Sequence, residues 1–349
     1  MKKIKVLVVD DSAFMRKSLR EILESDPQIE VIDTARNGLE AVEKVKELKP
    51  DVVTLDINMP VMDGKQALQK IMEENPLPVV VVSSLTQEEA PITMELLDLG
   101  AFDYVSKPSG TVSLDIRKVS DQIISKVKQA YRSRFRIRKG VQSIRISRAS
   151  FKPEKRGLAQ YVIAIGISTG GPATLLDILQ DCQIDSQTAY LVVQHMPPQF
   201  TPSLAKRLSE YTPIQFFHAS KGQAILGGYG YLAPGGWHMQ ITRDKRIALF
   251  KDDRYVYYPS VDVLFDSVAE VYCPHAIGVL LTGIGKDGAE GLLKMKNCGC
   301  YTIAESEETA VVFGMPKAAQ ELGAAREILP SYKIAKAISR VHARMRSKR

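Results

Sequence analysis

Short apolar runs, each followed by a stretch with helical spacing of apolar residues, recur along residues 4–125. Five runs follow this pattern: IKVLVV, IEVIDTA, DVVTLD, PVVVVSS and FDYVSKP. Most of them are apolar at nearly every position instead of every second one, which is typical of strands buried on both faces of a parallel sheet. The pattern predicts a doubly wound, flavodoxin-like α/β domain over residues 1–125.

The same pattern returns in the second half of the chain, where four further apolar runs predict buried strands: YVIAIGIS, AYLVVQH, AIGVLLTG and CYTIAE. Residues 222–260 interrupt them with a segment rich in Gly, Tyr and Pro that favours hairpins. We therefore predict a second doubly wound parallel-sheet domain over residues 158–349, with a β-hairpin excursion. Residues 126–157 predict a basic linker between the domains, since residues 131–157 lack a sustained apolar period, and its first part is expected to continue the preceding helix.

The positive charge is concentrated in two segments. The chain of 349 residues has a formal net charge of +7. Residues 126–156 carry twelve Lys and Arg against one Glu, or +11, and residues 340–349 carry +5, which leaves −9 on the remainder. No helix-turn-helix pattern or aromatic-basic interleaving accompanies these segments, so they predict a solvated connector and tail and no nucleic-acid partner.

Composition also indicates the compartment. No apolar run approaches the roughly 20 residues that span a bilayer, and the N-terminus lacks the apolar region of a secretory signal. The sequence predicts a cytoplasmic protein without direct membrane insertion. Its cysteines show no CxxC pair, so neither a disulfide framework nor a zinc site is expected from Cys182, Cys273, Cys298 and Cys300.

Polar side chains follow the predicted strands of the first domain. Asp10 and Asp11 follow the first strand, Asp56 the third, Ser83 the fourth and Lys107 the fifth. The carboxyl ends of parallel strands meet at one edge of a sheet, where ligands gather. Three carboxylates at that edge would repel one another unless a hard cation such as Mg²⁺ lay among them. A carboxylate can also act as a nucleophile that forms an acyl phosphate.

Four segments that contain these residues or adjoin them resemble the receiver domain of bacterial response regulators across residues 1–125: DDSAFMR, LDINMPVMDG, VVSS and YVSKP. The resemblance implies that Asp56 is the phosphoacceptor. It further implies Mg²⁺ ligands Asp10, Asp11 and Asp56 and switch residues Ser83, Tyr104 and Lys107. The alternative interpretation, that the three aspartates are ordinary cap and turn residues, explains each one singly but not their joint order and spacing.

In the second domain, Ser168 lies in a Gly-x-Ser-x-Gly segment between a predicted strand and a predicted helix. Such a turn exposes a nucleophilic hydroxyl, cradles a phosphate or is an ordinary tight turn, and the pentapeptide alone does not decide among the three. His195 ends the next strand and is therefore expected at the same edge of the sheet. This position favours a catalytic pair.

The third motif, GIGKDG at residues 283–288, has the Gly-x-Gly-x-x-Gly spacing of a dinucleotide site, with Glu305 about twenty residues further on. Against that interpretation, Asp287 in the turn would face a pyrophosphate. Acyl transfer instead gives Ser168, His195 and Asp287 one task each, as nucleophile, base and orienting acid. Asp262, within a predicted helix, is the competing acid.

The segments GISTGG, QHMPPQFT, YLAPGGWHM, PSVDVLF, LTGIGKDGAEG and VVFGMP resemble the catalytic domain of the chemotaxis protein-glutamate methylesterases. The resemblance implies a triad of Ser168, His195 and Asp287, with backbone N–H groups of Ile284 and Thr169 as oxyanion-hole candidates. It implies esterase chemistry without a cofactor, glutamine deamidation as a second activity, methyl-accepting chemoreceptors as substrates and a chemotaxis histidine kinase as phosphodonor. A response regulator with a nucleic-acid-binding or dinucleotide-binding output is the alternative.

Overall fold

The computed structural model describes residues 3–84, 89–107, 113–133, 157–252 and 254–347. The chain divides into two compact units, Met1–Ser143 and Ile144–Arg349. Each unit has a parallel sheet, as the hydrophobic pattern predicts. The helices of the described ranges are all too short or too polar to cross a lipid bilayer.

The first unit is a five-stranded parallel sheet in the order β2-β1-β3-β4-β5. This order confirms the flavodoxin-like prediction. Its elements, in chain order, are β1 (Ile4–Val9), α1 (Ala13–Glu24), β2 (Ile29–Ala35), α2 (Gly38–Leu48), β3 (Val52–Asp56), α3 (Gly64–Glu74), β4 (Val79–Ser83), α4 (Ala90–Asp98), β5 (Asp103–Ser106) and α5 (Ser113–Ser133).

Three helices of this unit begin at a residue whose side chain caps the helix N-terminus. Ser12, Asn37 and Asp63 each accept a hydrogen bond from the backbone N–H three residues further on, at the starts of α1, α2 and α3. The apolar faces of the sheet are fully buried, with Val6, Val8 and others inaccessible to solvent. The rigid sheet therefore fixes the positions of the polar residues that follow its strands.

The second unit is a seven-stranded parallel sheet in the order β14-β13-β12-β6-β7-β9-β8. A separate antiparallel pair, β10 and β11, lies within the predicted hairpin excursion. The elements are β6 (Tyr161–Ile167), α6 (Gly171–Leu179), β7 (Thr188–Gln194), α7 (Thr201–Tyr211), β8 (Gln215–His218), β9 (Tyr229–Leu232), β10 (His238–Ile241), β11 (Ile247–Phe250), α8 (Val261–Tyr272), β12 (Ala276–Leu280), α9 (Ala289–Asn297), β13 (Tyr301–Glu305), α10 (Met315–Glu321), β14 (Glu327–Leu329) and α11 (Ser331–Ser347).

The basic connector begins as expected, whereas the basic tail differs from the expectation. Helix α5 continues through the first eight residues of the predicted linker to Ser133, and residues 134–156 lie outside the described ranges. The predicted basic tail is helical as far as Ser347. There Arg340 pairs with Glu327, and His342 approaches the hydroxyl of Thr188. An apolar helix face, which a charge count ignores, holds this segment against the domain.

The expectation that the cysteines form no disulfide is wrong. Cys273 and Cys298 are paired, with their Cα atoms 6.1 Å apart, and they lie at the C-terminal ends of the neighbouring helices α8 and α9. The two residues are separated by 25 positions. Since their proximity depends on how two helices pack, cysteine spacing alone gives no signal for it.

Candidate active site and phosphoacceptor site

Ser168 and His195 lie side by side at the carboxyl edge of the second sheet. Strands β6 and β7 are paired in a register that sets Ile167 opposite Gln194, so each candidate is the first residue after a matched pair. The N–H of His195 donates to the carbonyl of Ile167 at 3.0 Å, which carries the alignment beyond the strands. On the other side, Ser168 N–H donates to the carbonyl of Thr282, which follows β12. Strand order reverses between β6 and β12, and this is where α/β sheets bind ligands.

His195 is joined to the candidate acid. Its Nε2 lies 2.7 Å from Oδ2 of Asp287. The other ring nitrogen, Nδ1, is buried and has no hydrogen-bond partner in the described part of the chain, and Ser168 Oγ forms no hydrogen bond there either. The imidazole stacks on the ring of Tyr257, with centroids 4.4 Å apart and planes 6° from parallel. The structure thus joins His195 to Asp287 and leaves the histidine nitrogen that would serve Ser168 free.

Asp287 is held by the first turn of α8. Ser260 Oγ donates to Oδ1 at 2.8 Å, Val261 N–H donates to Oδ2 at 2.7 Å, and Asp262 N–H donates to Oδ1 at 3.2 Å. Burial favours the protonated form, but the hydrogen bond and charge of His195 and these donors outweigh it and lower the pKa of Asp287. The carboxylate therefore stays ionised beside the histidine.

The competing acid, Asp262, points elsewhere. Its Oδ1 accepts a hydrogen bond from the N–H of Gly291 at 2.7 Å, in helix α9. Burial and the charge of Asp287 raise the pKa of Asp262 to about 7. Asp262 links two helices and makes no described contact with His195, so its geometry suits a structural role better than the orienting role.

The GIGKDG turn is packed closely against the candidate nucleophile. A Cβ added at Gly283 would lie 2.7 Å from Cβ of Ser168 and would overlap Sδ of Met315. Glu305, which a dinucleotide site would use to bind ribose, is fully buried and accepts hydrogen bonds from Thr282 N–H and Thr309 Oγ1 at 2.9 Å each. This arrangement disfavours the dinucleotide interpretation, because the carboxylate is already used inside the protein.

Two backbone donors are available near Ser168. Neither Thr169 N–H nor Ile284 N–H donates to an oxygen within the described ranges, whereas Ser168, Gly171 and Gly283 have their N–H groups paired. Unpaired N–H groups beside a nucleophile are what an oxyanion hole requires. The roles assigned to Thr169 and Ile284 remain predictions.

Sequence reasoning missed three residues around the site. Gln194 is buried and donates through Nε2 to the carbonyl oxygens of Ser168, at 2.8 Å, and His195, at 3.1 Å. Tyr257 stacks on the imidazole, and Ser260 holds Asp287. A signal existed for Ser260, since a serine directly before the helical pattern VDVLF is typical of an N-cap. Tyr257 lies in an irregular loop, and no sequence pattern indicates its contact.

In the first unit, Lys107 joins the two buried aspartates. Its Nζ lies 3.0 Å from Oδ2 of Asp10 and 2.8 Å from Oδ1 of Asp56. Burial raises the pKa of Asp56 to about 6, and the charge of Asp10 adds to this effect while the hydrogen bond from Lys107 opposes it. Burial by itself would lower the pKa of Lys107, but its two carboxylate partners raise it.

These residues fit a magnesium ion. Carboxylate oxygens of Asp10, Asp11 and Asp56 all lie within 4.8 Å of one another. Oδ2 of Asp56 is buried and has no hydrogen-bond partner in the part of the chain that the structure describes. An ionised oxygen in that position suits a hard cation that prefers oxygen ligands. Lys107 compensates part of the charge but leaves this oxygen open.

Two of the three predicted switch residues, Ser83 and Tyr104, belong to the neighbouring strands β4 and β5. Ser83 ends β4, and its side chain lies outside what the structure describes. Tyr104 is on β5 opposite Val81 and is buried, with Nζ of Lys126 5.3 Å from its ring centroid. Burial raises the pKa of Tyr104 well above its ordinary value, so the phenol stays protonated. Their pairing as a switch remains a prediction.

The first unit has the sheet of a receiver domain, with buried aspartates at its carboxyl edge. The second unit has Ser, His and Asp at the carboxyl edge of its own sheet. Together they define a response regulator with a hydrolase output. Residues 6–117 match the family model of the response regulator receiver domain, and residues 163–338 match that of CheB methylesterase. The chain belongs to the CheB methylesterase family.

Two curated relatives are similar to this chain over nearly its whole length, and one solved structure is similar to about half of it. The protein-glutamate methylesterase/protein-glutamine glutaminase 2 of Carboxydothermus hydrogenoformans is 49% identical over 348 residues, covering 96% of this chain and 98% of that protein. The corresponding protein of Caldanaerobacter subterraneus subsp. tengcongensis is 47% identical and covers 95% of each chain. The crystal structure of the Thermotoga maritima CheB methylesterase catalytic domain is 40% identical, covers 52% of this chain and 98% of that one, and has a TM-score of 0.49.

Proposed function

We propose that the protein hydrolyses the γ-methyl esters of glutamate residues on methyl-accepting chemoreceptors, releases methanol, and is activated by phosphorylation of Asp56. The observation that carries the catalytic part is the His195–Asp287 hydrogen bond of 2.7 Å at the sheet edge where Ser168 lies. The names of the curated relatives, protein-glutamate methylesterase/protein-glutamine glutaminase, support the substrate class.

The reaction uses the three side chains in sequence. Ser168 Oγ forms a bond to the ester carbonyl carbon, and its proton passes to Nδ1 of His195, the ring nitrogen without a partner. Asp287, bound to Nε2, stabilises the imidazolium. The tetrahedral intermediate collapses, the C–O bond to the methoxy group breaks, and His195 returns the proton to give methanol. Water then attacks the acyl-serine by the same route and releases glutamate.

The negative charge that develops on the carbonyl oxygen needs donors that are already in place. The N–H groups of Ile284 and Thr169 fit this role because both are unpaired in the described part of the site. One such donor typically contributes about 3–4 kcal/mol of transition-state stabilisation. A primary amide presents the same carbonyl, so glutamine deamidation follows with ammonia as the leaving group.

Regulation rests on the first unit. The carboxylate of Asp56, which lies beside Lys107 and the other two aspartates, accepts the phosphoryl group from a chemotaxis histidine kinase. When bound to Asp10, Asp11 and Asp56, Mg²⁺ would neutralise the phosphoryl oxygens. Lys107 stays close enough to pair with them, and the added charge of about −1.5 to −2 shifts the equilibrium of the switch residues Ser83 and Tyr104.

Methanol release from a methylated chemoreceptor fragment tests the proposal. We expect release by the wild-type protein and a loss of about 10⁴-fold or more in Ser168→Ala, since the nucleophile is removed. Duplex DNA and NAD, added in parallel titrations, test the two alternative outputs and should bind weakly or not at all. Methanol release by Ser168→Ala at the wild-type rate would refute the assignment of the nucleophile.

A further inference from the structure

His238, a buried histidine outside the proposed triad, lies two hydrogen bonds away from Asp287. Its Nδ1 accepts a hydrogen bond from the N–H of Ser260 at 3.2 Å, and Ser260 Oγ donates to Asp287 Oδ1 at 2.8 Å. His238 follows a Gly-Gly-Trp segment, and the structure places it at the start of β10 with its side chain fully buried. A histidine in that position calls for an explanation that hydrophobic packing does not provide.

We propose that His238 is a positioning residue that fixes the orienting acid of the triad through Ser260. The inference rests on the proposed function, since it assigns Asp287 the task of orienting His195. It adds a fourth side chain, from a separate hairpin, to the network that holds the acid in place.

The backbone of Ser260 explains why an acceptor is needed. Ser260 is the N-cap of α8 and is 2% exposed, yet its side chain forms no cap hydrogen bond because the hydroxyl is turned toward Asp287. Its own N–H is buried, and an unpaired buried donor is costly. Nδ1 of His238 satisfies that donor and at the same time fixes where the first turn of α8 begins. The same turn supplies all three donors from α8 to Asp287.

The position of the His238 ring is itself fixed from several sides. The residue is paired with Phe250 across the β10–β11 hairpin. The rings of Phe250, Tyr255 and Tyr258 pack around it, with centroid distances of 5.2, 4.7 and 4.6 Å. Burial lowers the pKa of His238, against the opposing effects of the Asp252 backbone and of the Asp252 and Asp287 charges. The ring therefore stays neutral, which leaves Nδ1 free to accept.

Substitutions separate this role from simple packing. His238→Phe keeps a ring and removes the acceptor, whereas His238→Asn places an amide oxygen close to the former Nδ1. We expect His238→Phe to lower kcat about tenfold to a hundredfold with little change in KM, because a small misplacement of a catalytic group has that effect. The acid limb of the pH–rate profile should move to lower pH, since a displaced carboxylate stabilises the imidazolium less. His238→Asn should recover most of kcat.

A double-variant cycle tests the route to Asp287. If His238 acts by positioning Asp287, His238→Phe added to Asp287→Asn should cost no more than about twofold beyond Asp287→Asn alone, because interacting sites are not additive. His342→Phe is the matched control: its half-buried ring contacts Thr188 Oγ1 at the opposite end of β7. That variant should lose thermal stability and keep wild-type kcat.

The ¹H NMR spectrum of the full-length protein gives a readout that needs no activity. The downfield proton of the His195–Asp287 hydrogen bond should be broadened or lost in His238→Phe and retained in His238→Asn and His342→Phe. A full kcat and an unchanged downfield proton in folded His238→Phe would overturn the inference, and so would strictly additive losses in the cycle. If His238→Phe does not fold, His238→Asn becomes the test. A low kcat together with loss of the downfield proton in folded His238→Asn would then overturn the inference. Wild-type methanol release by Ser168→Ala would instead refute the proposed nucleophile and leave the NMR result to stand alone.

Discussion

Nε2 of His195 and Oδ2 of Asp287 are 2.7 Å apart, although the two residues are separated by 92 positions in the chain. The contact depends on the parallel pairing of β6 with both β7 and β12, which brings the ends of three strands to one edge of the sheet. Asp287 is bound at the same time by the first turn of α8. The histidine is therefore oriented by a carboxylate that is itself fixed.

The Asp287→Asn variant tests this relationship. An amide in place of the carboxylate removes the charge that stabilises the imidazolium and favours the wrong tautomer of His195. We expect kcat for methanol release to fall by about 10³–10⁴-fold while KM changes little. Asp262→Asn is the matched control, since Asp262 bonds Gly291 instead of His195, and it should lose far less. Equal losses of kcat in the two variants would mean that the orienting role does not belong to Asp287.

Much of the fold could be predicted because the strands of both sheets are continuous apolar runs, as in AIGVLLTG and AYLVVQH. Such runs indicate burial on both faces whatever the rest of the chain does. The hairpin that contains β10 could be predicted from the Gly, Tyr and Pro content of residues 222–260, but the start of β10 at His238 could not, since Gly and Pro precede it and His238 gives no strand signal. The environments of Tyr257 and Ser260 depend on loop and helix packing over tens of residues, which local patterns do not encode.

The close approach of Gly283 to Ser168 gives a second prediction. A methyl group in Gly283→Ala would press on Cβ of Ser168 and on Met315. We expect kcat to fall about tenfold or more in the folded variant, because the nucleophile is displaced. Gly157→Ala is the control, since no described atom lies within 4 Å of the added carbon. Wild-type kcat in folded Gly283→Ala would mean that the turn does not constrain the nucleophile.

The buried carboxyl of Asp56 predicts a pH-dependent stability. Its pKa is raised from 3.8 to about 6 in the folded state, with burial as the main cause. The folded protein thus keeps this proton where the unfolded chain has lost it, so the contribution to stability is fully present below about pH 4 and is lost as pH rises through 6.

Asp56→Asn removes that dependence. With Mg²⁺ chelated, we expect the variant to raise the free energy of unfolding of the receiver unit by about 1–2 kcal/mol at pH 8 and by less at pH 5. Denaturant titrations at both pH values measure this difference. Asp11→Asn, at an exposed position, should change it by no more than about 0.5 kcal/mol. A larger gain at pH 5 than at pH 8 would contradict the account.

The separate core of the second unit leads to a prediction about regulation. Its buried residues form a cluster of their own, including Leu191, Phe265 and Met315. We propose that the receiver domain inhibits the esterase site until Asp56 is phosphorylated. We therefore expect a chain of residues 157–349 to fold and to release methanol faster than the unphosphorylated full-length protein. Equal specific activities would remove the inhibitory role.

Labelling of Ser168 by a serine-reactive phosphonate, with and without a small acyl-phosphate donor and Mg²⁺, tests the nucleophile and its regulation together. We expect one labelled site, mapped to Ser168 by peptide mass analysis, with no label in Ser168→Ala. We also expect faster labelling after addition of the donor in the wild-type protein and no acceleration in Asp56→Asn. Labelling at another serine, or acceleration that persists in Asp56→Asn, would contradict the proposed function.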